Sequence, residues 1–455
     1  MLHFEQKEKI KKEKGRAVLA FAKKLRYLGF FLIMSCTAFS IDQINAVPVS
    51  GKPVWVNVFV HGIVSIKPLT TLGNFLRFIN DNFEDSPYAL TINNIRHNSF
   101  FYQNQTIQAP GLHPIDIENC APGAAACIMA RIFDKVTKFN NPNNDVESLY
   151  YTYGWSAVLS RSGRLEDAVT FLNQLNAEVD RLRAQGLRPI VRLIGYSHGG
   201  TVILDLALAK RLYGITPHFE VEQAYLLGTP IQSDTDYLIT DSLFKKIYNI
   251  YSRGDRFQKL DMFSSGQFFS ERKFIAHCQL PELPSKLTQV EVKLTRKPNG
   301  KGCCSSCNDV DCCAKGPSYK NRRNVSPGHS ELWFFGWTPM HYRKTFPLYP
   351  LPLVTFLPYL IDAIDPLEIN SHPEKEIIIT IDTAAHQMNL RNSANRCCKG
   401  INRPFLDRNT LNALKEEALS YRPDPALYNL CTFDKQIQKE TARAFIQRKQ
   451  KRCGR

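Results

Sequence analysis

The chain has 455 residues, 44% hydrophobic and 11% aromatic, which is enough apolar material for a large core and excludes disorder as the default. Its formal net charge is +16, but residues 1–26 carry nine Lys/Arg against three Glu and residues 433–455 carry eight against two acids, so the two ends supply +12 of the total. The body between them is nearly neutral and has no nucleic-acid motif, which excludes DNA or RNA as the expected partner.

Behind the basic start, Tyr27 to Ser40 is apolar and ends in small residues. This is the form of a secretory signal with Ala38 and Ser40 at the −3 and −1 positions before the cleavage site, and it predicts export. A retained anchor, lipidation at Cys36 in Ile33-Met-Ser-Cys36, and a plain amphipathic helix are the alternatives.

Lys52 to Val60 is β-branched and aromatic and predicts a buried strand ending at His61-Gly62. Thr71 to Ile79 predicts a helix. Residues 84–147 mix Asn, Pro, Gly and short apolar runs, and read as an insertion that lines a binding site.

A regular alternation follows. Strands are predicted at 149–153, 189–194, 222–227, 247–252 and 290–295, with an amphipathic helix from Leu165 to Ala184 presenting Ala168, Phe171, Leu172, Leu175 and Val179, and a second helix over 199–212. Strands alternating with helices predict an α/β class, with a mostly parallel, doubly wound sheet, helices on both faces, and ligands at the carboxyl ends of the strands. Pro347 to Leu360 reads as core, with a lipid-docking patch as the alternative, and 376–381 reads as an added strand. The expected division is a targeting segment over 1–40, a main domain over 41–385 with insertions at about 84–147 and 297–325, and a basic C-terminal extension over 386–455.

Of 13 cysteines, 12 lie outside the targeting segment, and an even count suits an oxidising compartment. Cys303, Cys304, Cys307, Cys312 and Cys313 crowd one loop, and Cys397-Cys398 form a second pair. Cys304-x2-Cys307 is half a zinc site, but adjacent pairs and export favour disulfides.

The chemistry centres on Gly195-Tyr196-Ser197-His198-Gly199, set between a predicted strand and a predicted helix. In that setting Gly-x-Ser-x-Gly is a nucleophile elbow, whose glycines admit close backbone so that the serine hydroxyl stands clear. Ser197 then needs a base, and the base an orienting acid. Asp255 follows the strand at 247–252 and His329 follows the last strand of the series, so both fall at the same strand-end face. Asp234, Asp236 and Asp261 are rival acids, and His277 and His341 rival bases. His61 reads as a brace for the loop after the first strand rather than as a base.

Taken together, Phe59-Val-His-Gly62, Tyr153-Gly-Trp-Ser156, Leu193 to Gly200, Leu227-Gly-Thr-Pro230, Tyr251 to Asp255 and Gly328-His329 resemble an α/β-hydrolase of the lipase/esterase type over roughly residues 53–335. The resemblance implies a Ser197–His329–Asp255 triad, an oxyanion hole from the backbone N–H groups of Ile63 and His198, and no metal or organic cofactor. Two departures stand out. Ile231-Gln-Ser-Asp234 follows Gly-Thr-Pro where lipases often have His-x-Gly, and the Cys-rich segment before His329 reads as a cap.

The expected function is therefore an exported serine hydrolase that cleaves carboxylic esters, of acyl lipids by resemblance, through an acyl-enzyme intermediate. A non-catalytic binding protein of the cell envelope, and an acyltransferase or thioesterase using the same residues, are the alternatives. The basic tail Lys435 to Arg455 suits an anionic membrane surface or is simply solvated.

Overall fold

The β-branched run after Gly51 forms β1 (Lys52–Val60), buried through its second half because β3 (Glu147–Gly154) and β4 (Leu187–Tyr196) flank it on either side. The structure is a computed structural model that describes residues 51–64, 83, 86–140, 146–259, 270–295, 324–365, 376–392 and 400–453. Between β1 and β3 lie α1 (Pro87–Arg96), β2 (Gly111–Ile115) and α2 (Ala125–Asn140). After β3 come α3 (Arg161–Ala184), β4, α4 (His198–Tyr213), β5 (Val221–Leu227), β6 (Ile247–Tyr251), β7 (Leu287–Thr295), β8 (Asn324–Val325), α5 (His329–Trp333) and α6 (Leu357–Ile364). The chain closes with β9 (Glu376–Asp382), β10 (Gln387–Asn392), β11 (Ile401–Pro404), α7 (Arg408–Ser420) and α8 (Leu430–Cys453).

Among the described residues, eleven strands make one mixed, mostly parallel sheet. β3, β1, β4, β5, β6, β7 and β9 run parallel in that order, while β2, β8, β10 and β11 are antiparallel additions. The chain passes from β1 to β3 on one side and then back across β1 to β4 on the other. That reversal places the sheet's topological switch point at the carboxyl ends of β1 and β4, where open α/β sheets receive ligands.

Helices cover both faces. Phe59 of β1 and Tyr150 of β3 meet Phe133 of α2 at 5.5 and 6.3 Å, whereas Tyr153 stacks on Phe171 of α3 at 4.0 Å. Successive strand residues point to opposite faces, so α2 and α3 lie on opposite sides of the sheet. The stripe expected on α3, Ala168, Phe171, Leu172, Leu175 and Val179, is buried throughout. α3 starts where the Ser160 hydroxyl accepts the Gly163 N–H at 3.0 Å.

The described part of the expected 84–147 insertion is built into the fold. α2 buries Ile128, Met129, Ile132, Phe133 and Val136, β2 extends the sheet edge, and a Cys120–Cys127 disulfide closes the turn between them. Pro347–Leu360 is core, as expected: Leu348, Leu351, Leu353, Val354, Phe356 and Leu357 are fully buried. The boundary expected after residue 385 falls inside the β9–β10 hairpin, so the sheet continues past it. Cys278, Cys431 and Cys453 are free and exposed. The targeting segment, the helix expected over 71–79, the Cys303–Cys313 cluster and Cys397-Cys398 lie outside the described residues. No helix among the described residues is long and apolar enough to cross a membrane.

Candidate active site

The turn from β4 into α4 carries Ser197 at φ 52°, ψ −129°. A residue with a side chain avoids this region at a cost of about 1–3 kcal/mol, so the surroundings must hold it there. They do so through the backbone: Ser197 N–H donates to the Leu227 carbonyl at the end of β5 at 2.8 Å, and the Ser197 carbonyl accepts from Gly200 N–H at 2.9 Å. Close packing against β1 explains the glycines. A Cβ on Gly199 would lie 2.3 Å from the Val60 carbonyl oxygen, and one on Gly62 would lie 2.9 Å from the Ser197 Cβ. The hydroxyl is not used as a helix cap, which leaves it available for chemistry.

Asp255 and His329, 74 positions apart, form a direct pair. His329 Nδ1–H donates to Asp255 Oδ2 at 2.7 Å, with the Asp255 side chain fully buried and the His329 side chain 16% exposed. The Asp255 carboxylate also accepts from Gln258 N–H at 3.1 Å, and Arg272 holds the Asp255 backbone carbonyl through Nε at 3.0 Å and Nη2 at 2.6 Å. Gly228 sits directly beneath the pair at φ 56°, where a Cβ would lie 2.8 Å from Asp255 Oδ2 and 3.5 Å from His329 Nδ1. Its neighbour Leu227 is the residue that binds Ser197 N–H, so the elbow and the pair rest on the same strand end. Ser197 Oγ makes no hydrogen bond to the His329 ring among the described residues, and such bonds commonly tighten only around substrate.

The turn bearing His329 is fastened from two sides. Ser252 Oγ–H donates to the Pro327 carbonyl at 2.6 Å, tying it to the end of β6. The buried Glu331 accepts the Gly328 N–H at 2.7 Å and pairs with Arg343, whose guanidinium also reaches the Ser326 carbonyl at 2.8 Å. Beneath the ring, Tyr196 lies 4.7 Å from His329 and stacks on Trp333 at 5.2 Å. Burial, then the Asp255 charge, push the Tyr196 phenol well above its usual pKa, so it stays a neutral donor. The Phe257 ring also lies 5.5 Å from His329 and is itself 58% exposed.

The rival groups are placed elsewhere. Asp236 binds His277 Nε2 at 2.6 Å as a separate pair, Asp234 is bridged to Arg161 at 3.3 Å, His341 is exposed, and Asp261 lies outside the described residues.

At the end of β1, His61 is fully buried, and its Nδ1–H donates to the Gly62 carbonyl at 2.6 Å. Trp155 Nε1–H fixes the His61 carbonyl at 2.6 Å, and the two rings stack. Burial, followed by the nearby Arg96 charge, pushes the His61 pKa well below 6.5, so the ring is neutral and acts as a brace. Ile63 N–H has no acceptor among the described residues. His198 opens α4, so its N–H precedes the first intrahelical hydrogen bond.

Sequence reasoning missed the Glu331–Arg343 clamp, Arg272 and Phe257. Glu331 did leave a local signal, an acid three residues after Gly328, the residue that caps the short helix α5. No protein-family model matches the chain, and no curated protein matches it.

Proposed function

We propose that the chain has the α/β-hydrolase fold and is a serine hydrolase that cleaves carboxylic esters. The observation that carries this reading is the Asp255–His329 pair, held on the strand end that also fixes the strained Ser197 turn.

In the proposed reaction Ser197 Oγ attacks the ester carbonyl carbon while His329 Nε2 takes the hydroxyl proton. Asp255 keeps the Nδ1 proton in place and stabilises the imidazolium that forms. The carbonyl oxygen becomes an oxyanion facing Ile63 N–H and His198 N–H, and each such donor typically contributes about 10²–10³ in rate. Collapse breaks the ester C–O bond, His329 returns the proton to the departing alcohol, and an acyl-Ser197 ester remains. Water, deprotonated by His329, then attacks that ester and releases the carboxylic acid and the serine hydroxyl.

Phe257 supports an apolar alcohol portion. The ring lies against His329, the group that protonates the leaving oxygen, and a largely exposed aromatic ring gains by covering an apolar group there. Esters of apolar alcohols, acyl lipids among them, are thus the substrate class proposed.

A fluorophosphonate probe tests the reading, because it phosphonylates an activated serine. Wild type should label and Ser197→Ala should not; equal labelling of both, or none of the folded wild type, overturns it.

A further inference from the structure

The C-terminal helix α8 is fixed against the body along one face. Its Phe433 meets Phe101 edge-on at 5.2 Å, and Ile437, Glu440 and Ala444 follow at helical spacing, all buried. Glu440 accepts from Asn98 Nδ2 at 3.0 Å, and its carbonyl oxygen from Asn94 Nδ2 at 3.3 Å. These contacts settle which side faces away. At about 100° per residue, Lys435, Lys439, Phe445, Ile446 and Lys449 project on the opposite side, and all five are exposed. Phe445 is 54% and Ile446 59% exposed.

The charge on this helix is mostly of one sign. α8 carries seven Lys/Arg against two acids, and one of those acids, Glu440, is turned inward. Lys435, Lys439 and Lys449 have no ion-pair partner among the described residues. The outer face therefore sets two large apolar side chains among unpaired cations.

We propose that the outer face of α8 docks the protein on a bilayer of anionic phospholipid. Lipid phosphates match the lysines, and the interfacial region takes the Phe445 and Ile446 side chains to a shallow depth while the lysine stems reach back to the headgroups. A nucleic acid offers phosphates but no place for Ile446, and a second copy of the chain would bring a like-charged helix against this one. The proposal does not depend on the hydrolase reading.

Cosedimentation of the full-length protein with vesicles of phosphatidylcholine, with and without phosphatidylserine, tests it. Wild type should bind the anionic vesicles, be released by salt and leave the neutral ones alone. Because residues 1–26 are also basic, the α8 variants carry the test. A Lys435→Gln, Lys439→Gln, Lys449→Gln triple variant should partition roughly 100-fold more weakly, since each well-placed cation contributes about a fivefold factor. A Phe445→Ser, Ile446→Ser double variant should lose about 10-fold or more while melting like wild type, because both positions are exposed. Binding by both variants equal to wild type overturns the proposal. So does equal binding to neutral vesicles, or displacement by a single-stranded polynucleotide that the Phe445→Ser, Ile446→Ser variant resists no less than wild type.

Discussion

Tyr196 and His329 are joined across 133 positions: the phenol O–H donates to the His329 carbonyl at 3.1 Å, and the two rings lie 4.7 Å apart. The residue just before the elbow serine thus carries the turn that bears the proposed base. Tyr196→Phe keeps the ring stacked on Trp333 but removes this hydrogen bond. Stability should fall by about 1 kcal/mol, and kcat should fall several-fold with KM little changed. Steady-state kinetics beside a thermal melt reads both, and an unchanged kcat would remove Tyr196 from the positioning of His329.

Asp255→Asn preserves the shape of the acid while favouring the wrong tautomer at His329. A loss of about 10³–10⁴-fold in kcat is expected, with a near wild-type melting temperature. If the variant instead keeps most of its activity, the acid role belongs to another carboxylate.

Glu331→Gln leaves Arg343 without its counter-charge and the Gly328 N–H with a weaker acceptor. Breaking a buried pair costs about 3–5 kcal/mol, discounted here to about 2–3 because Arg343 is a third exposed. Denaturant unfolding measures the loss. Activity measured where the variant is still folded should fall too, since the clamp orients the His329 turn.

Phe257→Ala alters an exposed ring, so its stability should stay within about 0.5 kcal/mol of wild type. With acyl group fixed and alcohol varied, kcat/KM should drop about 10-fold for esters of long or aromatic alcohols and hardly at all for ethyl esters. The same drop for every ester, or one that follows acyl length, would place Phe257 elsewhere in the reaction.

Asp167 supplies a pH signature. Burial raises its carboxyl to about 6, outweighing hydrogen bonds from Ser156, against 3.8 unperturbed. The folded state therefore holds the proton more tightly than the unfolded chain between those two values, and stability declines as pH rises through that window. The interval amounts to about 3 kcal/mol. Urea unfolding of wild type against Asp167→Asn should show wild type gaining on the variant as pH falls from 6 to 4, by up to about 3 kcal/mol. A constant difference across that range would refute the assignment.

The parallel core of the fold was legible because its strands are short runs of β-branched, aromatic and leucine residues followed closely by Gly, Asp or Pro, and its helix α3 keeps a 3.6-residue stripe. α2 was not, because the Asn, Pro and Gly around it hid the spacing of Ile128, Ile132, Phe133 and Val136. At the candidate site, Ser197, Asp255 and His329 could be named because each lies in a short motif after a strand. The groups that hold them could not. Arg272 acts on the Asp255 backbone from 17 positions away, and Arg343 acts on Ser326 from 17 away, through contacts that leave no pattern in neighbouring letters.

The clamp between Glu331 and Arg343 also orders events during synthesis. Ser197 emerges 132 residues before His329, counting 329 minus 197, and the clamp closes only after Arg343 has followed. At about 5–20 residues per second, the serine waits roughly 7–26 seconds for its partner. A nascent chain carries an elbow with no base beside it, so on this reading the enzyme is silent until most of its length has been made.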